Sequence, residues 1–130
     1  MWTNNKPQFG SAIRVRRTIY YHYGIYCDDS TVVHFSAKDS DGVLDYKSVK
    51  VIVTDLKRFL KDGTLETLEY DDSNRPTRSP VEIVNYAFSM VGTGGYDLVN
   101  NNCEHFVYDC LYGKKESKQV DAVKNIFRKF

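Results

Sequence analysis

The sequence is poor in the features that cross-link a chain or carry it across a membrane. Only three cysteines occur among 130 residues. So sparse and odd a set argues against a disulfide scaffold and favours a reducing compartment. No apolar run is long enough to cross a bilayer, and the polar first residues lack the apolar core of a signal peptide. We therefore expect a cytoplasmic protein with no transmembrane segment, with peripheral membrane contact left open.

The sequence also has no large excess of positive or negative charge. Eighteen Lys and Arg residues balance 17 Asp and Glu residues, for a net charge of +1. Nothing in this balance calls for nucleic acid as a partner. The apolar content of 42%, with ten tyrosines, is typical of a folded protein. The length suits one domain, which we place at residues 11–113, after a lead-in loop (1–10) and before a charged linker with an amphipathic segment (114–130).

The apolar pattern along the chain indicates an α+β fold. β-Branched and aromatic residues predict strands, and capping signals predict helices. We expect an antiparallel sheet of about four to six strands packed against about three helices. The predicted strands are 11–15, 18–26, 31–35, 47–54 and 64–70. The predicted helices are 55–60, 79–92, 103–113 and, as a packed or frayed tail, 121–130.

A cysteine stands at the start of the predicted third helix, just after two asparagines. An apolar face follows it at helical spacing, formed by Cys103, Phe106, Val107, Cys110 and Leu111. The amino end of a helix favours the thiolate, which is the nucleophilic form of cysteine. A small buried core residue is the other interpretation. This stretch alone does not decide between the two.

Two histidines lie in the arms of a predicted β-hairpin. If the loop has an odd length, 27–29 or two residues more, His22 and His34 are directly opposite each other and share a face. A two-residue turn would put them on opposite faces. Tyr20 has the same parity as His22 and is expected on its face.

These residue types match the needs of cysteine catalysis. Cys103 would be the nucleophile, His22 the general base, and His34 the residue that orients His22. The Cys103 backbone N–H and Tyr20 would face the oxyanion. A zinc site is the weaker interpretation, because there is no C-x-x-C pair and His105 points to another side of the helix than Cys103. We expect no metal and no cofactor, with His105 making a structural hydrogen bond or lining the site mouth.

Two blocks of sequence resemble one family. NNCEHFVYDCLYG (101–113) and YYHYGIYCDDSTVVHFS (20–36) resemble the lecithin:retinol acyltransferase family, which includes small vertebrate phospholipase/acyltransferases. Shorter similar segments are FLKDG (59–63), SPVEIVNYA (79–87) and SKQVDAVK (117–124). The resemblance implies a circularly permuted papain-like fold of the NlpC type, with the nucleophile at a helix amino terminus. The middle segments look closer to bacterial-type members.

The resemblance also implies residue roles. Cys103 matches the acyl-accepting nucleophile, His22 the base and His34 the third member, while Tyr20 matches a tyrosine near the oxyanion site. The implied reaction is thiolate attack on a phospholipid ester, giving a thioester acyl-enzyme. The acyl group then passes to water, an amine or an alcohol. Asn102, His105 and Tyr23 match secondary positions, and Tyr23 stands where many members have Trp.

The chain departs from the family pattern in two respects. The hydrophobic carboxy-terminal anchor of the vertebrate enzymes is not in this sequence, so either it was removed or this member lacks one. The insertion associated with retinol-specific transfer is not evident either. Two further functions stay open: an NlpC-like amidase or peptidase, and a non-enzymatic interaction module that retains the histidine and cysteine blocks.

Two basic stretches offer a weak peripheral contact with anionic membrane. Without membrane contact, the first stretch would be a solvated strand edge and the second a packed or frayed tail. The residues concerned are Arg14, Arg16 and Arg17 in the first stretch, and Lys124, Arg128 and Lys129 in the second.

Overall fold

The fold is a six-stranded antiparallel sheet with helices on both faces. The computed structural model describes residues 1–36, 48–95 and 102–113. The sheet order is β1-β6-β2-β3-β4-β5. The strands are β1 (Trp2–Thr3), β2 (Ser11–Arg16), β3 (Tyr21–Asp28), β4 (Thr31–Ser36), β5 (Lys50–Thr54) and β6 (Leu65–Leu68), and the helices are α1 (Leu56–Leu60), α2 (Pro80–Ser89) and α3 (Cys103–Tyr112). This confirms the predicted α+β class.

The helices begin where the capping signals predicted. The Ser79 hydroxyl accepts the backbone N–H of Glu82, and the Glu82 carboxylate accepts that of Ser79, which completes a capping box. Pro80 occupies the first turn of α2, where its missing N–H costs nothing. The Asp55 side chain caps α1 by accepting the N–H of Arg58 at 2.8 Å. The start of α1 is therefore fixed directly after the end of β5.

The two faces of the sheet carry separate apolar clusters. The cluster under α2 and α3 contains Ile25, Val33, Phe35 and the buried face of α3. The cluster under α1 contains Ile13, Val15, Tyr26, Val32 and Phe59, and Phe59 is fully buried. Full burial of such a side chain contributes about 1.5–3 kcal/mol. The short helix α1 is thus anchored to its own face of the sheet by the ring of Phe59, with Leu56 and Leu60 packed against the same cluster.

The hairpin of β3 and β4 differs from the prediction in register. Asp28 pairs with Thr31, so the turn has two residues, and a bulge between Tyr26 and Asp28 shifts the pairing so that Gly24 faces His34. His22 and His34 are therefore diagonal neighbours, and the predicted direct opposition is wrong. They nevertheless share a face, because the bulge adds one residue to β3 and restores the parity that a two-residue turn alone would remove.

The ends of two other predicted segments also change. The lead-in loop contains the strand β1, and the carbonyl of Met1, just before it, accepts the backbone N–H of Glu69 at 2.7 Å. The strand predicted to begin at residue 18 begins at Tyr21, because the N–H of Arg17 donates to the carbonyl of Tyr20 and closes a turn. The predicted linker and tail helix (114–130) lie outside the described residues.

No helix within residues 1–36, 48–95 and 102–113 is long and apolar enough to cross a membrane.

Candidate active site

Cys103 is the first residue of α3, and its position is set by Asn102. The Asn102 side-chain oxygen accepts the backbone N–H groups of Glu104 at 3.0 Å and His105 at 3.1 Å. In return, the Asn102 backbone N–H donates to His105 Nδ1 at 2.9 Å. His105 thus completes the capping box, which confirms the structural hydrogen bond predicted for it. This reciprocal cap fixes where the helix begins, and so fixes the site of the Cys103 thiol.

The apolar face of α3 is buried as predicted. Cys103 is 5% exposed, Phe106 and Val107 are also buried, and Cys110 is fully buried. Burial, followed by the Asp109 charge, raises the pKa of the Cys110 thiol far above its ordinary value. Cys110 therefore stays a protonated core residue.

His22 and His34 form a buried, hydrogen-bonded pair. His22 Nε2 lies 2.9 Å from His34 Nδ1, and the two rings are nearly perpendicular at 81°. His22 is 0% and His34 4% exposed. The Phe59 ring of α1 packs against both imidazoles, with centroid distances of 5.2 Å to each. The pair is therefore rigid, and it lies on the face of the sheet that α1 covers.

Thr54 continues this hydrogen-bonded chain. Its Oγ1 lies 2.9 Å from His34 Nε2 and donates to the Asp55 carbonyl oxygen at 3.1 Å. Asp55 is also the residue that caps α1. The end of β5 thus holds His34 from one side while the helix that follows supplies Phe59. Sequence reasoning missed both contacts, because a threonine at a strand end carries no signal for a distant histidine.

Cys103 approaches the amino end of β3. Its Sγ lies 3.9 Å from the carbonyl oxygen of Tyr21, the first residue of the strand and the neighbour of His22 in sequence. Cys103 belongs to the cluster under α2 and α3, whereas the two imidazoles contact Phe59 on the other face. The structure thus brings His22 and His34 into contact and places the Cys103 sulfur beside the strand end from which His22 projects.

The tyrosines near this strand end take different positions. Tyr20 lies in the turn before β3, where its backbone carbonyl accepts the N–H of Arg17 at 2.7 Å. Strand alternation therefore does not place its side chain on the face of His22. The Tyr23 hydroxyl lies 3.5 Å from an Arg14 guanidinium nitrogen. Burial chiefly, and then the Glu104 charge, raise the pKa of Tyr23 far above its ordinary value, so its hydroxyl stays protonated.

The first basic stretch is mostly engaged within the fold. Arg14 forms an ion pair with Glu66 at 2.8 Å and stacks on the Tyr21 ring at 3.9 Å. Arg17 donates to two backbone carbonyls of α1, at 2.7 and 3.1 Å. Arg16 has an exposed side chain. The other basic residues predicted to touch membrane, Lys124, Arg128 and Lys129, lie outside the described residues.

In the part of the chain that the structure describes, no three His, Cys, Asp or Glu side chains are grouped so as to hold a metal ion.

Comparison with known proteins identifies the family that has this fold. The family model described as lecithin retinol acyltransferase matches residues 5–116. The chain belongs to this family. The resemblance noted in the two sequence blocks is thereby confirmed, and so is the fold expected from it, with the buried Cys103 at the start of α3.

Three relatives show how far the similarity extends. Human phospholipase A and acyltransferase 4 is 30% identical over 130 residues, which cover 93% of this chain and 79% of the relative. Mouse lecithin retinol acyltransferase is 30% identical, over 92% of this chain and 62% of its own length. Rat phospholipase A and acyltransferase 5 is 29% identical, over 93% of this chain and 44% of its own length. The chain thus spans less than two thirds of two of these proteins.

Proposed function

We propose that this protein is a thiol-dependent acyltransferase or phospholipase A that acts on phospholipid acyl esters. Family membership and relatives named phospholipase A and acyltransferase support this class of reaction. The observation that carries it is the buried histidine pair, with His22 Nε2 2.9 Å from His34 Nδ1, next to the strand end where the Cys103 sulfur lies. Thioester chemistry requires a cysteine nucleophile and a base that takes its proton, and the proposal gives these roles to Cys103 and His22.

The proposed reaction has two halves. His22 takes the thiol proton of Cys103, and the sulfur attacks the ester carbonyl carbon to form a tetrahedral intermediate. The carbon–oxygen bond to the lysophospholipid then breaks, and the imidazolium of His22 returns the proton to the leaving oxygen. In the second half, water, an amine or an alcohol attacks the thioester, giving its proton to His22, and the thiol is regenerated.

The negative charge of the tetrahedral oxygen needs donors. The Cys103 backbone N–H lies in the first turn of α3, where the helix dipole favours an anion. We assign it as the principal donor. The Asn102 cap supports this role, because it fixes the direction of the first helical turn. Tyr20 remains the second proposed donor.

The substrate is proposed to be reached at a membrane surface through the turn between β2 and β3. In this turn Ile19 is 83% exposed, and the exposed Arg16 stacks at 5.5 Å on the ring of Tyr21. The Tyr21 carbonyl is the one that the Cys103 sulfur approaches. A cation and an apolar side chain at one turn suit the headgroup boundary of an anionic bilayer. Arg14 and Arg17 are not included in this membrane contact, because their side chains bind other groups within the protein.

Intact mass measurement tests the proposal directly. The protein is incubated with short-chain phosphatidylcholine, and we expect an added acyl group on the wild type and none on Cys103→Ala. Fatty acid release is measured in the same samples. A wild type that gains no acyl group and releases no fatty acid would sink the lipid proposal and leave amide hydrolysis or a non-enzymatic role.

Two histidine variants test the assignment of roles. His22→Ala should abolish acylation, because no base then takes the thiol proton. His34→Gln should keep a small residual rate, because an amide oxygen can accept the proton that His22 Nε2 offers. Both variants acylating at the wild-type rate would show that the histidine pair has no part in the reaction. Circular dichroism confirms that each variant is folded.

A further inference from the structure

The hydroxyl of Thr54 is part of a chain of hydrogen bonds that includes both histidines. The chain runs from the Asp55 carbonyl through Thr54 and His34 to His22, with separations of 3.1, 2.9 and 2.9 Å. We propose that Thr54 is a positioning residue that fixes the tautomer of both histidines. The tautomer assignment stands on this geometry alone, whereas its consequence for the rate rests on the proposed function.

The direction of the chain follows from what each group can do. A carbonyl oxygen only accepts, so in the proposed chain the single hydroxyl proton of Thr54 is assigned to the bond with Asp55. The Thr54 oxygen must then accept from His34, which places a proton on His34 Nε2. A neutral imidazole carries one proton, so His34 Nδ1 is an acceptor. His22 Nε2 must therefore be the donor to it.

The consequence is that the lone pair of neutral His22 lies on Nδ1. When His22 takes a proton at Nδ1, its Nε2–H still donates to His34, so no hydrogen bond of the chain has to reverse. The base can therefore gain and lose a proton without rearrangement of its neighbours. With the Thr54 hydroxyl gone, His34 could exchange tautomers and present an N–H to His22, which would turn the His22 lone pair away from Nδ1.

The tautomers can be observed directly by NMR in the resting protein. Ring nitrogen-15 shifts are recorded for the wild type at a pH where the imidazoles are neutral, and are assigned with His22→Gln and His34→Gln. We expect protonated Nε2 and unprotonated Nδ1 in both. His105 is an internal reference, because its Nδ1 accepts the Asn102 backbone N–H at 2.9 Å. A protonated Nδ1 on His34 in the wild type would overturn the proposal.

Threonine variants test the role of the hydroxyl. Thr54→Val keeps the branched shape, and we expect mixed His34 tautomers and a kcat for acylation about tenfold lower, with KM unchanged. Thr54→Ser should restore both the wild-type tautomers and the wild-type kcat. Thr67→Val is the matched control, because the Thr67 hydroxyl also donates to a backbone carbonyl, that of Asn5 at 2.7 Å, and should leave tautomers and kcat at wild-type values.

The outcomes separate the two proposals. If Thr54→Val keeps wild-type tautomers, Thr54 does not position the pair. If the wild type shows the expected tautomers but never forms an acyl adduct, the proposed reaction fails and the tautomer assignment holds. If Thr54→Val loses rate while Thr54→Ser does not regain it, the hydroxyl is not the group responsible and the proposal falls.

Discussion

The ring of Phe59 lies directly over the backbone of Gly24. A Cβ added at Gly24 would come within 2.8 Å of Phe59 Cε2 and within 3.3 Å of the His34 Cβ. Gly24 is also the residue paired with His34 across the hairpin. The absence of a side chain at this position thus lets one aromatic ring reach both imidazoles of the histidine pair.

A methyl group at Gly24 should therefore damage both stability and activity. For Gly24→Ala we expect a loss of about 1–3 kcal/mol in the free energy of unfolding, because the ring of Phe59 is held in a packed core and cannot easily move. Acylation should slow as well, since Phe59 supports both histidines. Urea denaturation and the acyl-adduct rate measure the two effects.

Gly94→Ala is the control for that substitution. Among the residues that the structure describes, a Cβ there would meet only the Val49 carbonyl oxygen, at an ordinary 3.7 Å. Its free energy of unfolding should stay within about 0.5 kcal/mol of wild type. Equal losses from the two variants would mean that the close approach of Phe59 to Gly24 has no energetic importance.

The Asn102 cap should matter for activity beyond its effect on stability. Asn102→Ala removes the acceptor for two backbone N–H groups and should cost about 0.5–2 kcal/mol of unfolding free energy. Ser79→Ala removes the cap of α2 and should cost a similar amount. Only the first is expected to slow acylation, because only α3 carries Cys103. The two losses are compared by urea denaturation and acyl-adduct rates, and a rate loss shared by both variants would point to general destabilisation.

The three cysteines should differ in their reaction with iodoacetamide. Burial and the Asp28 charge raise the pKa of Cys27 to about 11, and Cys110 is fully buried with a pKa raised further. At pH 7.5 both are thiols. We expect Cys103 to be labelled first, as measured by peptide mass spectrometry, and Cys103→Ala to lose the fast phase.

The pH dependence of Cys27 labelling has a defined sign. Because the raised pKa keeps the thiol protonated, labelling of Cys27 should increase as pH rises from 9 towards 11. The same shift in pKa gives Cys27 a contribution to the free energy of unfolding. This contribution is fully present below about pH 9, the ordinary pKa of a thiol, and is lost as pH rises through 11. Fast Cys27 labelling at pH 7.5 in the folded protein would contradict both statements.

The turn between β2 and β3 should contribute to vesicle binding. Arg16→Ala is expected to weaken co-sedimentation with anionic vesicles about fivefold, in line with about 1 kcal/mol for one cation near a charged surface. Ile19→Ser should weaken it further through lost apolar contact. Arg75→Ala is the control, because Arg75 is exposed and pairs only weakly with Asp72 at 3.4 Å. Equal binding by all variants would remove this turn from the proposed membrane contact.

Local signals in the sequence predicted where the helices start, although α2 ends at Ser89 and not at the predicted residue 92. Ser79 and Glu82 mark the start of α2, and Asn102 marks that of α3, because a cap is chosen by residues a few positions apart. The left-handed Gly113 ends α3 as predicted, at a φ of 72°. These features depend on hydrogen bonds between residues that are close in sequence, so the local sequence is enough to predict them.

The arrangement of the site was less accessible from the sequence. The parity that brings His22 and His34 to one face depends on the bulge at Cys27, and no residue type demands a bulge there. The contacts of Thr54 and Phe59 join parts of the chain that only the sheet order brings together. Residue type and resemblance made Cys103 and the two histidines candidates, while the contacts of Thr54 and Phe59 with the histidines follow from tertiary packing.

The bulge at Cys27 places a condition on the length of the hairpin rather than on its composition. An insertion or deletion of one residue between His22 and His34 would turn one imidazole to the opposite face of the sheet, unless a compensating bulge formed or disappeared. A change of two residues would keep both on one face. Natural variation in this hairpin is therefore expected to occur in even steps, even where the turn residues themselves are freely exchanged.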